Sequence, residues 1–164
     1  MKASIDSSGY SANRLSPAKF KEAIDTLADK LPLWLEATKC DGIVVCGTSG
    51  LSIGYGLLAR SATPPPTIIV RKSESHDSRV TAIGGTQEVS RLLMVDDMVD
   101  TGATVQFVYE RLMSYSVELV ACGCYNPLFS GDPGRIRNLE SLQHGRKVFV
   151  GRGDAAECIP VFSL

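Results

Sequence analysis

Three short, continuous apolar runs constrain the fold of this chain more than any other feature of its sequence. The runs are Gly42–Cys46, Thr67–Val70 and Leu92–Val95. Runs that are apolar throughout, instead of alternating with polar residues, are typical of strands buried on both faces of a parallel sheet. The sequence therefore predicts a central sheet built largely from these runs.

Segments with helical periodicity separate the apolar runs. Ser16-Pro17 is a helix start, because serine caps exposed N–H groups and proline at the first position loses no hydrogen bond. That helix should end or kink at Pro32, although Leu33-Trp34-Leu35 suggests a further apolar turn. A second helix is predicted from Leu51 to Arg60, where Gly54 and Gly56 favour close packing against the sheet. The apolar positions of the first helix are Phe20, Ala23, Ile24, Leu27 and Leu31. A third helix is predicted from the apolar positions Val105, Val108, Tyr109 and Leu112.

Two further strands are expected, at Val117–Tyr125 and Lys147–Val150. The alternation of strands and helices predicts an α/β fold with a central, mainly parallel sheet flanked by helices. The length of 164 residues fits one domain, with residues 1–15 as a loose polar arm. Ligands of such sheets bind beyond the carboxyl ends of the strands.

Charge, hydropathy and cysteine placement argue against nucleic-acid binding, membrane binding and zinc binding. A net charge of −1 argues against a nucleic-acid or membrane surface. No apolar run approaches the roughly 18 residues that span a bilayer, so a cytosolic protein is expected. Cys46, Cys122 and Cys124 lie in apolar strands and are interpreted as buried, reduced thiols. For Cys122-x-Cys124 core packing is favoured over zinc binding, which needs four ligands.

The segment Leu92–Thr104 carries the chemistry. Its strand ends in Asp96 and Asp97, and Asp100-Thr-Gly-Ala-Thr104 then opens a helix. Glycine allows a tight turn, threonine hydroxyls donate hydrogen bonds, and helix N-terminal N–H groups favour an anion, which together make a phosphate cradle. Paired carboxylates bind sugar hydroxyls or Mg²⁺. The alternative is that Asp97 or Asp100 merely caps the helix, and for a single aspartate that alternative would be preferred.

This segment closely resembles the 5-phosphoribosyl-1-pyrophosphate (PRPP) signature of the type I phosphoribosyltransferases. The resemblance implies that fold, with a small variable hood, and a Mg²⁺-dependent transfer of phosphoribose to a nucleobase with release of pyrophosphate. It implies that Asp96 and Asp97 contact the ribose hydroxyls and the metal's water shell. It also implies that the 5′-phosphate is bound by the loop formed by Asp100, Thr101, Gly102, Ala103 and Thr104. Within this loop, the resemblance makes Asp100 a candidate general base.

Three other segments match the family by position. The turn Gly47-Thr48-Ser49-Gly50 corresponds to its pyrophosphate loop, with Thr48, Ser49 and Gly50 as binding residues; the alternative is a purely structural turn. Arg71 and Lys72 resemble a pyrophosphate-binding pair of the orotate and adenine branches; the alternative is a solvated pair of charges. Ser73–Thr86 corresponds to the catalytic loop.

Within that loop His76 and Arg79 are the expected pyrophosphate contacts, and His76 is the second candidate catalytic residue. The loop lacks the Ser-Tyr pair of the 6-oxopurine branch and the lysine and His-Gly of the orotate branch. A solvated surface histidine is therefore the alternative for His76.

Residues 126–164 are expected to contribute to the hood that selects the base. Phe149 is either a base-stacking residue or a core strand residue, and the base is left open between purines and orotate-like pyrimidines. A homodimer is expected by analogy. The alternative function is a non-catalytic, PRPP- or nucleotide-binding regulator with the same fold, for which Arg135, Arg137, Arg146 and Lys147 could form a local RNA-binding patch. A PRPP synthetase is disfavoured by the short chain.

Overall fold

A computed structural model of the chain describes residues 17–72, 80–84, 86–126, 139–142, 145–151 and 156–163. The predicted arm at residues 1–15 lies outside the described residues, as do His76, Arg79, Arg135 and Arg137. The described segments form three helices, α1 (Pro17–Thr38), α2 (Gly47–Arg60) and α3 (Ala103–Met113). The strands are β1 (Gly42–Cys46), β2 (Thr67–Val70), β3 (Val80–Ala82), β4 (Arg91–Met98), β5 (Glu118–Asn126), β6 (Leu139–Leu142), β7 (Gly145–Val150) and β8 (Glu157–Ser163).

All the described strands belong to one eight-stranded sheet with the order β3-β2-β1-β4-β5-β8-β7-β6. Strands β1, β2, β4, β5 and β8 run parallel, whereas β3 and β7 are antiparallel to their neighbours. The prediction of a mainly parallel α/β sheet is confirmed. Val44 of β1 is in register with Met94 of β4, and Cys46 with Val70 of β2, so these strands end at the same edge.

Helices pack on both faces of the sheet because β1, β2 and β4 are apolar on both sides. On one face α1 and α2 cover Ile43, Val45 and Leu93, and on the other α3 packs over Met94 and Cys122. Burial of this kind stabilises a fold by roughly 1.5–3 kcal/mol for each large apolar side chain.

The two helical glycines were predicted to pack against the sheet, and only one of them does. A Cβ on Gly54 would approach Val45 Cγ1 of β1 to 3.2 Å, as expected. A Cβ on Gly56 would instead meet Ile24 Cδ1 of α1 at 2.8 Å. The sequence shows which residues of a helix are small, but it does not show which neighbouring element packs against them.

Several predicted element boundaries differ from the structure, and three of them concern α1, α2 and β4. Helix α1 does not end at Pro32 but continues to Thr38. Pro32 is exposed, so the carbonyl that loses its donor can bind water, and Trp34 and Leu35 beyond it pack against the core. Helix α2 begins at Gly47, so the turn Gly47–Gly50 is the first turn of the helix. Strand β4 extends through the acidic pair to Met98.

Three strands were not predicted. Strand β3 lies in the region interpreted as an irregular loop, and β6 and β8 lie in the region assigned to the hood. The described part of residues 126–164 thus extends the central sheet beyond β5. Phe149 is 39% exposed, so its interpretation as a core strand residue is wrong.

The predicted thiol chemistry agrees with the structure. Cys46, Cys122 and Cys124 are buried, as predicted. Cys122 and Cys124 both belong to the hydrophobic cluster beneath α3, which favours core packing for this pair. None of the helices in the described ranges is long and apolar enough to cross a bilayer.

Candidate functional site

The carboxyl ends of β1, β2 and β4 border a cavity of about 310 Å³. The ends meet because the three strands are parallel neighbours, as is usual for ligand sites of open α/β sheets. The predicted site residues that line the cavity are Thr48, Ser49, Lys72, Asp96, Asp97, Asp100, Thr101, Gly102, Ala103 and Thr104. The structure therefore brings together residues from three separate segments of the sequence.

The acidic pair at the end of β4 is buried in spite of its charge. Asp96 and Asp97 are each 6% exposed, and the Asp97 N–H donates to Asp96 Oδ1 at 2.9 Å. Burial raises the pKa of Asp96 to about 6, although that N–H and the positive charge of Lys72 oppose the rise. Burial also raises the pKa of Asp97, opposed by the Met98 N–H. A bound cation or hydroxyl donor would stabilise the charged form of either carboxyl.

The loop between β4 and α3 forms the predicted cradle. Gly102 is the N-cap of α3 with φ of 78°, a left-handed conformation that glycine adopts without strain. No side chain caps the helix at this residue, and the Gln106 N–H donates to the Gly102 carbonyl at 2.9 Å. The Thr101 hydroxyl accepts a hydrogen bond from the Ala103 N–H at 3.3 Å. The positive end of the α3 dipole therefore faces a cavity that suits an anion.

A second helix N-terminus borders the same cavity. Gly47 at the start of α2 has φ of 71°, and the N-cap residue, Cys46, makes no side-chain capping bond. Thr48 and Ser49 line the cavity, whereas Gly50 does not. Gly50 is buried behind the acidic pair, where its Cβ would lie 3.6 Å from Asp96 Oδ1. The predicted ligand-binding role of Gly50 is therefore not supported by its position.

Lys72 at the end of β2 connects the two helix N-termini. Its Nζ donates to Thr104 Oγ1 at 3.2 Å, and the same Nζ lies 3.8 Å from the position of a Cβ on Gly47. Arg71, predicted as its partner, is exposed and is not part of the cavity lining. Of this pair, Lys72 alone contributes its positive charge to the cavity lining.

Sequence reasoning missed several lining residues. Gly47 was predicted to be part of the turn but was not named as a binding residue. The available signal was a glycine directly after a buried strand, where the backbone needs a positive φ. Cys46 closes the floor of the cavity, and burial raises the pKa of its thiol to about 11, opposed by Lys72. A neutral thiol of this kind is a poor nucleophile. The remaining lining residues are Met94, Met98, Val99 and Val105.

Comparison with known proteins identifies the fold. No protein-family model matches the chain, and no curated protein sequence matches it. Solved structures do match, and they show that this chain has the fold of the type I phosphoribosyltransferases.

Three of those structures are an orotate phosphoribosyltransferase from Francisella tularensis, a phosphoribosyltransferase from Corynebacterium diphtheriae and an adenine phosphoribosyltransferase. Sequence identities to these three are 15%, 12% and 19%, and TM-scores are 0.53, 0.56 and 0.56. The matches cover 67%, 77% and 91% of this chain, and 51%, 73% and 81% of the other chain. This chain thus spans about half the length of the Francisella enzyme. At such identities the likeness establishes the fold alone.

Proposed function

We propose that this chain binds PRPP with Mg²⁺ and transfers the phosphoribosyl group to a nucleobase with release of pyrophosphate. One observation carries the proposal: a buried carboxylate pair lines one cavity together with two helix N-termini whose N-cap residues make no side-chain capping bond, and Lys72 lies between these termini. PRPP has a sugar diol flanked by a monophosphate and a diphosphate. The cavity offers matching groups for all three parts.

Each part of the ligand has a natural counterpart in the site. The first turn of α3, with Thr101 and Thr104, suits the 5′-phosphate because its N–H groups lie at the positive end of a helix dipole. Asp96 and Asp97 suit the ribose 2′ and 3′ hydroxyls as hydrogen-bond acceptors. The first turn of α2 and Lys72 suit the diphosphate.

The residues present fit Mg²⁺. Asp96 and Asp97 supply hard oxygen ligands, and the raised pKa of Asp96 shows that its carboxylate lacks full compensation by nearby positive charge. Mg²⁺ is usually held by one or two carboxylates together with substrate phosphates, so a larger cluster of protein ligands is not needed. When bound, Mg²⁺ would offset the charge that develops on departing pyrophosphate.

The proposed reaction breaks the bond between ribose C1 and the pyrophosphate oxygen and forms a bond from C1 to a ring nitrogen of the base. The base nitrogen loses its proton to Asp100, which lines the cavity. The electron pair of the broken bond leaves with pyrophosphate, which Lys72 and the N–H groups of α2 stabilise. The protein therefore contributes mainly positioning and electrostatic stabilisation.

The test combines binding with turnover. Calorimetry measures PRPP binding with and without Mg²⁺, and a pyrophosphate-release assay is run with adenine, hypoxanthine, guanine, uracil and orotate. The proposal expects Mg²⁺-dependent binding and release of pyrophosphate with at least one base. Binding with no turnover on any base would refute the transferase and favour the PRPP-binding regulator; no binding would refute both.

The remaining expectations belong to the same proposal. A role in nucleotide salvage, a cytosolic location and a homodimer are proposed by analogy with the fold class. Light scattering of the purified chain measures its mass in solution, and a monomeric mass would contradict the dimer.

A further inference from the structure

One residue, Gln106, connects the anion cradle to the end of β7 through its backbone and its side chain. The Gln106 Oε1 accepts a hydrogen bond from the Gly151 N–H at 2.9 Å, and its Nε2 donates to Glu110 Oε1 at 2.7 Å. The backbone N–H of the same residue donates to the Gly102 carbonyl at 2.9 Å. Gln106 is thus bonded both to the cradle glycine and to the residue that follows β7.

The chemistry of the partners fixes the orientation of this amide. A backbone N–H can only donate and a carboxylate can only accept, so the Gln106 oxygen must face Gly151 and its nitrogen must face Glu110. Glu110 lies one turn further along α3, where residues four apart are neighbours. Glu110 therefore holds the amide of Gln106 in the orientation that Gly151 requires.

Gly151 lies at a point where the chain changes direction. Its φ is 90°, and it directly follows the last residue of β7. A second contact joins the same helix to the start of β8, since the Tyr109 hydroxyl interacts with Glu157; burial and then this carboxylate raise the pKa of Tyr109. Helix α3 thus holds both the residue that follows β7 and the residue that begins β8.

We propose that Gln106 is a positioning residue that couples occupancy of the cradle by a phosphate group to the hairpin formed by β7 and β8. A phosphate at the first turn of α3 orders Gly102 and the N–H groups beside it. The Gln106 backbone N–H transmits that ordering to a side chain that fixes Gly151. This inference rests on the proposed function, because it requires a phosphate group in the cradle.

The first experiment measures amide hydrogen exchange at Gly151 in the ligand-free protein by NMR. Gln106→Met keeps the length of the side chain and its helix propensity but removes the acceptor. Exchange at Gly151 is expected to accelerate about two- to tenfold, the equivalent of one neutral hydrogen bond. Glu110→Gln is the matched control, because its amide oxygen still accepts from Gln106, and it should leave the exchange unchanged.

A reciprocal swap distinguishes this role from a purely structural one. In the double variant Gln106→Glu with Glu110→Gln, the carboxylate at 106 accepts from both Gly151 and the new amide. The slow exchange of Gly151 should be restored. The swap moves a negative charge towards the cradle, so exchange at Gly151, and not phosphate affinity, is the readout for this variant. Unchanged exchange in Gln106→Met, or failure of the swap to restore it, would overturn the inference.

The second experiment adds ribose 5-phosphate as the probe. In the wild type, saturation should slow exchange at Gly151 by about fivefold or more, within the usual range of coupling between sites. In Gln106→Met the probe should bind without this change. Normal binding with no effect on Gly151 in the wild type refutes the coupling alone. Absence of binding to the wild type refutes the proposed phosphate site, and the coupling with it.

Discussion

Lys72 Nζ donates a hydrogen bond to Thr104 Oγ1 across 3.2 Å, although the two residues are 32 positions apart in the sequence. The bond joins the end of β2 to the first turn of α3. It places the ammonium group between two helix N-termini, where two phosphate groups of one ligand would both be within its reach. Removal of Lys72 is therefore the most direct test of a shared anion site.

Lys72→Ala should weaken PRPP binding by roughly 10- to 100-fold, the equivalent of about 1.5–3 kcal/mol for hydrogen bonds to a charged group. Arg71→Ala is the matched control, because Arg71 carries the same charge but lies outside the cavity lining. It should change the dissociation constant by less than about threefold. Calorimetry of the two variants at one ionic strength checks the prediction, and equal losses would show a general charge effect instead of a specific contact.

Asp96→Asn together with Asp97→Asn should abolish Mg²⁺-dependent PRPP binding while the fold survives. The amides keep the size of the side chains but cannot supply the negative charge that a divalent cation requires. Calorimetry with and without Mg²⁺ measures the effect, and circular dichroism checks the fold. Wild-type affinity in the double variant would contradict the assignment of this pair.

Asp96 should make a pH-dependent contribution to the stability of the metal-free protein. The pKa of Asp96 is about 6 in the folded chain, compared with an ordinary value of 3.8 that applies to the unfolded chain. As pH rises, the unfolded chain therefore loses this proton first, and ionisation of Asp96 opposes folding. The contribution of Asp96 to stability is therefore most favourable below about pH 4, falls as pH rises, and levels off above about pH 6. The full loss is about 3 kcal/mol, at 1.36 kcal/mol per pKa unit.

Asp96→Asn should consequently stabilise the metal-free protein at pH 8 and do so much less at pH 4.5, as measured by urea unfolding in EDTA. Asp41→Asn is the opposing control. Burial alone would raise the pKa of Asp41, but hydrogen bonds from Ser90 and Arg91 lower it, so this substitution should destabilise the protein at pH 8. Equal effects of Asp96→Asn at both pH values would exclude a titration of that carboxyl.

Gly102→Val should block ribose 5-phosphate binding, because a branched side chain at the N-cap of α3 would project into the cradle. It would also cost about 1–3 kcal/mol of stability, since the φ of 78° disfavours a side chain. Gly84→Val separates the two effects: Gly84 has φ of 81° but is exposed and outside the cavity. It should lower the unfolding free energy similarly and leave binding intact. Retained binding in Gly102→Val would remove the cradle from the site.

Thiol reagents should distinguish the cysteines by position. Cys158 is exposed, whereas Cys46, Cys122 and Cys124 are buried. Burial raises the pKa of Cys46 and of Cys122, which further slows their reaction, because the thiolate is the reactive form. Mass spectrometry after brief alkylation of the native protein should find Cys158 modified first. Early modification of Cys46 would show that the cavity floor is open.

Local sequence signals accounted for the strands and helices that form the site. The apolar runs predicted β1 and β2 with their observed ends, because a buried parallel strand must be apolar on both faces. They located β4 but ended it at Val95, before the acidic pair that the structure includes in the strand. The motif from Asp96 to Thr104 predicted a cradle beside an acidic pair, and the structure places these residues around one cavity.

Local signals failed where neighbours decide the outcome. Strands β3, β6 and β8 are short or partly polar, and they become strands because neighbouring strands supply hydrogen-bonding partners. Strands β3 and β6 lie at the two edges of the sheet, and β8 lies between β5 and β7. Helix α1 continues past Pro32 because the residues beyond it are held by the core. In both cases the outcome depends on contacts with other segments of the chain.

The sequence alone determined the class of fold and the chemical character of the site, because periodicity and residue type act over short stretches of chain. Only the tertiary structure decided which of Arg71 and Lys72 faces the cavity, that Gly50 lies behind the acidic pair, and that Gln106 contacts Gly151. Those facts depend on the packing of elements that are far apart in the chain. No local pattern specifies such packing in advance.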